Sequence, residues 1–157
     1  MAAAARTAPK TRGVDTIQIF AIDDEKTKAQ LIEKMKEIAK AESRLSFERD
    51  ANAIASSPVI LAIGVRSKPS GLNCGYCGYA TCAELSKTAG ICAYNSIDLG
   101  IATASAASVA ARLCIDNRLM YSIGRACRDL ELFSKEVIQA LGIPLSITGK
   151  NPFFDRK

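Results

Sequence analysis

Four of the six cysteines fall in one short stretch, Cys74, Cys77, Cys82 and Cys92, with the spacing C-x2-C-x4-C-x9-C. Four thiols that converge on one centre force the intervening chain into a curled loop that neither a strand nor a long helix can make. Gly75 and Gly78 lie between the first three, and glycine tolerates positive φ and close backbone approach. Successive N–H groups in such a loop form a nest for negative charge. Soft thiolates in that setting bind an iron–sulfur cluster or a zinc ion. The spacing is unequal and clustered, which favours an iron–sulfur cluster. Zinc is the alternative, since a structural zinc site would use the same four ligands, although such sites more often show two C-x2-C pairs. A thioredoxin-like Cys74–Cys77 pair would leave the other two thiols without a role.

The loop continues into a local helix signal. Thr81-Cys82-Ala83-Glu84 has the form of a capping box and predicts a helix from Cys82 to near Gly90. The positive end of that helix favours the Cys82 thiolate. Cys92 then folds back as the fourth ligand. Cys114 and Cys127 lie on apolar helical faces and read as small core residues, with a reserve ligand as the sharper alternative.

Composition excludes several classes. The chain has 157 residues, 48% hydrophobic, and suits one domain with a real core. No apolar run reaches the roughly 18–20 residues that span a bilayer, and Met1 to Arg12 lacks the apolar centre of a secretory signal. The expectation is a cytoplasmic protein with no membrane partner. Net charge is +5, but the basic residues are scattered and lack aromatic interleaving, so nucleic acid is not an expected partner. Histidine is absent, which removes the commonest general base. Asp98, Asp116, Arg118 and Lys150 interrupt apolar patterns and are the candidates for acid–base work; helix caps and core-edge ion pairs explain them equally well.

Periodicity places the loop within a larger domain. Thr16 to Ile22 reads as a strand, and Asp23 and Asp24 offer a cap to a helix over 25–42 carrying Leu31, Met35, Ile38 and Ala39 on one face. Phe47, Ala51, Ile54 and Ala55 suggest a shorter helix ended by Pro58. Val59 to Val65 is a continuous apolar run, a strand buried on both faces. A helix capped by Asn95 or Ser96 runs from Ile97 to about Cys114, and its small residues from Ala102 to Ala111 predict close packing between layers or against a partner copy. Asp116 to Arg118 breaks and restarts this helix. Leu119, Met120, Ile123, Cys127 and Leu130 continue an apolar stripe. A last helix through Val137, Ile138 and Leu141 stops at Gly142 with Pro144 beyond. Leu145 to Thr148 is a late strand, and Gly149 to Pro152 a turn.

Two resemblances sharpen the cluster. Cys74-Gly75-Tyr76-Cys77-Gly78-Tyr79-x-x-Cys82 resembles the CGxCGYxxC signature of four-iron-cluster domains in an electron-transport-complex ferredoxin subunit and in the acetyl-CoA decarbonylase corrinoid subunit. Asp98-Leu99-Gly100-Ile101-Ala102, Asp116 to Tyr121, and Gly149-Lys150-Asn151-Pro152-Phe153-Phe154-Asp155-Arg156 resemble the ferredoxin-domain family of anaerobic bacteria and archaea. A third likeness, in the order of elements from Ala5 to Ala111, is to nitroreductases. It implies a homodimer with a flavin (FMN) between subunits, but this chain lacks the basic N-terminal motif that grips the flavin phosphate.

The expectation is therefore one α+β domain over 1–157. Two layers are built around a central sheet and a small-residue helix, with a cluster-binding loop over 72–92 inserted between them. The chain would bind one [4Fe-4S] cluster through Cys74, Cys77, Cys82 and Cys92, and serve single-electron transfer to a redox partner protein or redox sensing. The alternatives are a flavin-dependent reductase fed by the cluster and a non-catalytic assembly module stapled by a cluster or zinc.

Overall fold

The apolar run around Ile60 forms the middle of the sheet in the computed structural model, which describes residues 1–154. Strand β2 (Ile60–Arg66) is buried from Ile60 through Val65. Strand β1 (Ile17–Ile22) pairs with it antiparallel, from Ile17 opposite Val65 to Ile22 opposite Ile60. On its other side β4 (Val137–Ser146) pairs antiparallel from Pro144 opposite Ile60 downward, with a bulge at Val65/Arg66. A two-residue strand, β3 (Asp116–Asn117), closes the order β1-β2-β4-β3 by pairing with Ser146 and Leu145.

Alternation along the strands serves two cores. Ile60 and Ala62 face one side with Ile22, and there they meet α2 (Glu25–Ala41), α3 (Leu45–Ile54) and α6 (Tyr121–Asp129) through Leu31, Met35, Phe47, Ile54 and Ile123. Leu61, Ile63 and Val65 face the other side, against α1 (Ala2–Thr7) and α5 (Ala93–Arg112) through Ala5, Leu99, Ala102 and Ala106. The expected two-layer arrangement is thus corrected to three, because a strand apolar on both faces needs helices on both. Each buried Ile or Leu contributes about 1.5–3 kcal/mol. The small residues of α5 do pack closely: Ala102, Ala106 and Ala110 are fully buried.

Helix α2 starts where Asp24 accepts from Thr27 N at 2.8 Å. Helix α5 begins at Ala93, earlier than its spacing predicts, with Cys92 rather than Asn95 or Ser96 at the cap. The helix expected from Cys82 to Gly90 is a single turn, α4 (Cys82–Leu85).

The C-terminal third departs most from expectation. The break expected at Asp116 to Arg118 does separate α5 from α6, and within it Asp116 and Asn117 form the edge strand β3, whereas the predicted helix over Val137 to Leu141 is the long strand β4. Pairing with β2 overrides its helix-like apolar spacing. Pro144, which cannot donate, falls between the Gly142–Met120 bridge and the Leu145–Asn117 pair, where no ladder bond is required of it. Gly142 leaves room for Ile123, and a Cβ on Gly124 would strike the Ala140 carbonyl, so α6 and β4 touch backbone to backbone. The resemblance motif that ends Asp155-Arg156 extends outside the described residues.

Candidate metal centre

Beyond β2 the chain leaves the sheet and does not return to regular structure, apart from one helical turn, until α5. Its stem is pinned twice. Ser67 N donates to Glu136 O at 2.8 Å. Lys68 N donates to Asn95 Oδ1 at 3.3 Å while Asn95 Nδ2 donates to Lys68 O at 3.0 Å. Asn95 is buried in the first turn of α5, and a side-chain amide that meets both polar groups of one peptide segment acts like a strand partner. Arg12 then lies across the stem, its Nη1 donating to Ser70 O at 3.1 Å.

Within the loop, Asn73 links the first cysteine region to the third. Cys82 N donates to Asn73 Oδ1 at 2.8 Å, and Asn73 N lies 3.4 Å from Cys82 Sγ as its donor. Gly75 and Gly78 have φ of 75° and 85°, and a Cβ on either would meet open space. Conformation, not crowding, requires glycine at both. The capping-box signal is met in a variant form: Glu84 N donates to Thr81 Oγ1 at 3.2 Å, and Glu84 Oε2 accepts from Ala80 N at 3.2 Å. Leu85 is buried and anchors this turn. The ring of Tyr76 stacks on Tyr94 of α5 with centroids 6.0 Å apart and planes 13° from parallel.

The four cysteines are not equivalent. Cys74 is exposed, Cys77 and Cys82 are half-buried, and Cys92 is buried. Burial pushes the Cys92 thiol up, but the Ser70 backbone N–H, those of Tyr94 and Asn95, and the Ser70 hydroxyl outweigh it and hold it below the usual thiol range. Its Sγ lies 3.8 Å from Ser70 Oγ. In this arrangement the loop ties Asn73 to Cys82 and Ser70 to Cys92. Among the described residues, no three Cys, Asp or Glu side chains are gathered closely enough to hold a metal ion.

The residues present nevertheless fit an iron–sulfur group: the donors are all soft thiols, glycines let the backbone curl, and amides point at a candidate sulfur. The donor set alone also fits zinc.

The remaining candidates are structural. Asp98 is buried and its Oδ1 accepts from Thr11 N and Oγ1 at 3.0 and 2.9 Å. Asp116 Oδ1 accepts from Asn151 Nδ2 at 2.9 Å, and Arg118 Nη1 donates to Phe153 O at 2.7 Å. The Lys150 carbonyl accepts from Thr148 Oγ1 at 2.6 Å. Cys127 is a core residue whose thiol burial pushes up to about 12. Cys114 is not a core residue: it is exposed, at φ 56°, just past α5. Sequence reasoning passed over Ser70 and Asn73 and took Asn95 for a helix cap, because nothing local to Asn95 marks its distant partner Lys68.

A model of the family described as uncharacterized proteins containing a ferredoxin domain matches residues 88–156. The match includes Cys92 and stops short of Cys74, Cys77 and Cys82. A protein of Archaeoglobus fulgidus, described as uncharacterized, is 42% identical over 165 residues, spanning 99% of this chain and 88% of that protein. Among solved structures, the nitroreductase with bound FMN from Desulfitobacterium hafniense has a TM-score of 0.66 at 15% identity, covering 95% of this chain and 75% of that one. A nitroreductase with bound FMN from Bacteroides fragilis gives 0.63 at 13% identity, covering 95% and 75%. A BluB-like flavoprotein from Clostridium difficile gives 0.58 at 19% identity, covering 95% and 78%. At such identities the likeness is one of fold, and it agrees with the element order read from the sequence.

Proposed function

Because the chain belongs to the family of proteins containing a ferredoxin domain, we propose that it is an iron–sulfur redox protein whose one [4Fe-4S] cluster is held by Cys74, Cys77, Cys82 and Cys92. A cluster bound there exchanges single electrons. The observation that carries the reading is that two of the loop sulfurs already meet polar groups: Asn73 N donates to Cys82 Sγ at 3.4 Å, and the buried Cys92 Sγ lies 3.8 Å from Ser70 Oγ. Such donors stabilise a thiolate. Gly75 and Gly78 give the loop the curl that ligation by both Cys74 and Cys77 would require. Thiolate ligands survive in a reducing compartment, so the reading includes the cytoplasm; no helix among the described residues is long and apolar enough to cross a membrane. The exposed face of α5, with Ile97, Gly100, Ile101 and Ala104, supports a second copy of the chain as partner, and a separate redox protein would receive the electron.

Anaerobic purification tests the assignment. Iron and acid-labile sulfide should each approach about four per chain, with broad absorbance in the visible that bleaches on reduction. A colourless protein holding one zinc would overturn it in favour of a structural staple.

A second reading has the cluster feeding a flavin. Its support is the fold, which the FMN-bound nitroreductases share. Denaturing the protein and measuring released flavin by fluorescence checks it; none released after reconstitution with FMN rejects it.

A further inference from the structure

Between the stem of the cysteine loop and the first turns of α5 lies a cavity of about 290 Å³. Ser70, whose Oγ is 3.8 Å from Cys92 Sγ, stands in its wall with Tyr94 and Asn95 of the first turn of α5. At about 30 Å³ per water-sized group, it has room for roughly ten such groups, so it suits a small molecule.

Its charges do not cancel. Arg12 and Lys68 line it, against one carboxylate, Asp98. The Asp98 Oδ1 is already engaged by the amide and hydroxyl of Thr11. The Lys68 backbone is pinned by Asn95, and no hydrogen bond or ion pair engages its ammonium among the described residues. Arg12 sits at φ 56°, a strained conformation for a residue with a side chain. Gly71, at φ 74°, leaves space for it, since a Cβ there would come within 3.0 Å of Arg12 Nη1. Thr16 also lines the cavity and is buried.

We propose that this cavity binds a small oxyanion, the carboxylate or phosphate group of a small molecule, held by Lys68 and Arg12. The occupant would sit one residue layer from the Cys92 sulfur. Binding itself does not depend on iron; only an influence on the cluster rests on the reading above.

Calorimetric titration of the purified full chain with inorganic phosphate, and separately with acetate, tests the site. At least one should bind saturably, and Lys68→Gln should weaken that binding about tenfold or more, the loss expected of a charge-assisted contact. This variant keeps the backbone clamp, and Arg12→Gln provides a second with the same expectation. If neither anion binds saturably, or both variants bind as tightly as the parent, the proposal fails. A chain that binds anion but holds no iron would retire the cluster reading alone; one that holds iron but binds no anion would retire this one alone.

Discussion

Asn95 and Lys68 hold each other by two reciprocal hydrogen bonds, 3.3 Å from Lys68 N to Asn95 Oδ1 and 3.0 Å from Asn95 Nδ2 to Lys68 O. This contact joins the end of β2 to the first turn of α5 and so sets Ser70 beneath the Cys92 sulfur. Asn95→Ala leaves two backbone groups of Lys68 without partners. The expected loss is about 1–3 kcal/mol of stability, read by urea denaturation, together with reduced iron retention under a chelator. Asn95→Asp keeps the acceptor for Lys68 N and should recover part of the loss.

Ser70 acts more directly. If Cys92 binds a cluster iron, its sulfur cannot donate, and the Ser70 hydroxyl becomes the donor. Hydrogen bonds to cluster sulfurs raise the reduction potential, so Ser70→Ala should shift it to lower values while Ser70→Thr holds it near the parent. Voltammetry of preparations with equal iron content reads this, and an unmoved potential in Ser70→Ala would remove the hydroxyl from the account.

The loop and the scaffold should separate. Neither core cluster contains any residue from 71 to 84. Cys77→Ser should therefore lose its iron yet keep the parent's far-UV dichroism and cooperative unfolding. Collapse of the fold in that variant would favour a metal that staples the structure.

Three glycines should respond differently to alanine. At Gly124 a Cβ meets the backbone of Ala140 and Leu141, which cannot yield without parting α6 from β4; about 3 kcal/mol or more should be lost. At Gly75 the space is open but φ is 75°, so the cost is about 1–2 kcal/mol of backbone strain, confined to the loop. At Gly100 the space is open within a helix, and alanine should stabilise by roughly 1 kcal/mol. Thermal unfolding of the three variants ranks them.

Cys127 carries an alkaline liability. Burial raises its thiol from 9.0 to about 12, so the folded chain holds a proton that the unfolded chain releases. Its contribution to stability is complete below pH 9 and drains away as pH rises toward 12, by up to about 4 kcal/mol at 1.36 kcal/mol per pKa unit. Cys127→Ala should start somewhat less stable at pH 8 and lose less between pH 9 and 11. Denaturation midpoints at several pH values check the slope; equal slopes would show that Cys127 does not control it.

What residue order alone determined is local. The β-branched run of β1, the continuous apolar run of β2 and the amphipathic face of α2 each announce themselves, because burial of one or both faces imposes a period on the chain. The glycines between the cysteines likewise mark a curled loop, and Gly75 and Gly78 do take positive φ there, since conformational freedom is a property of the single residue. Tertiary structure decided what depends on partners. Val137, Ile138 and Leu141 followed by Gly142 and Pro144 carry a helix and its stop signal, yet they form a strand because β2 offers seven residues of ladder and α6 needs a flat backbone to rest on. A third layer was required because both faces of β2 are apolar. Asn95 looked like a cap and is a clamp, because its amide meets Lys68, 27 positions away in the chain, and only folding brings that backbone within reach.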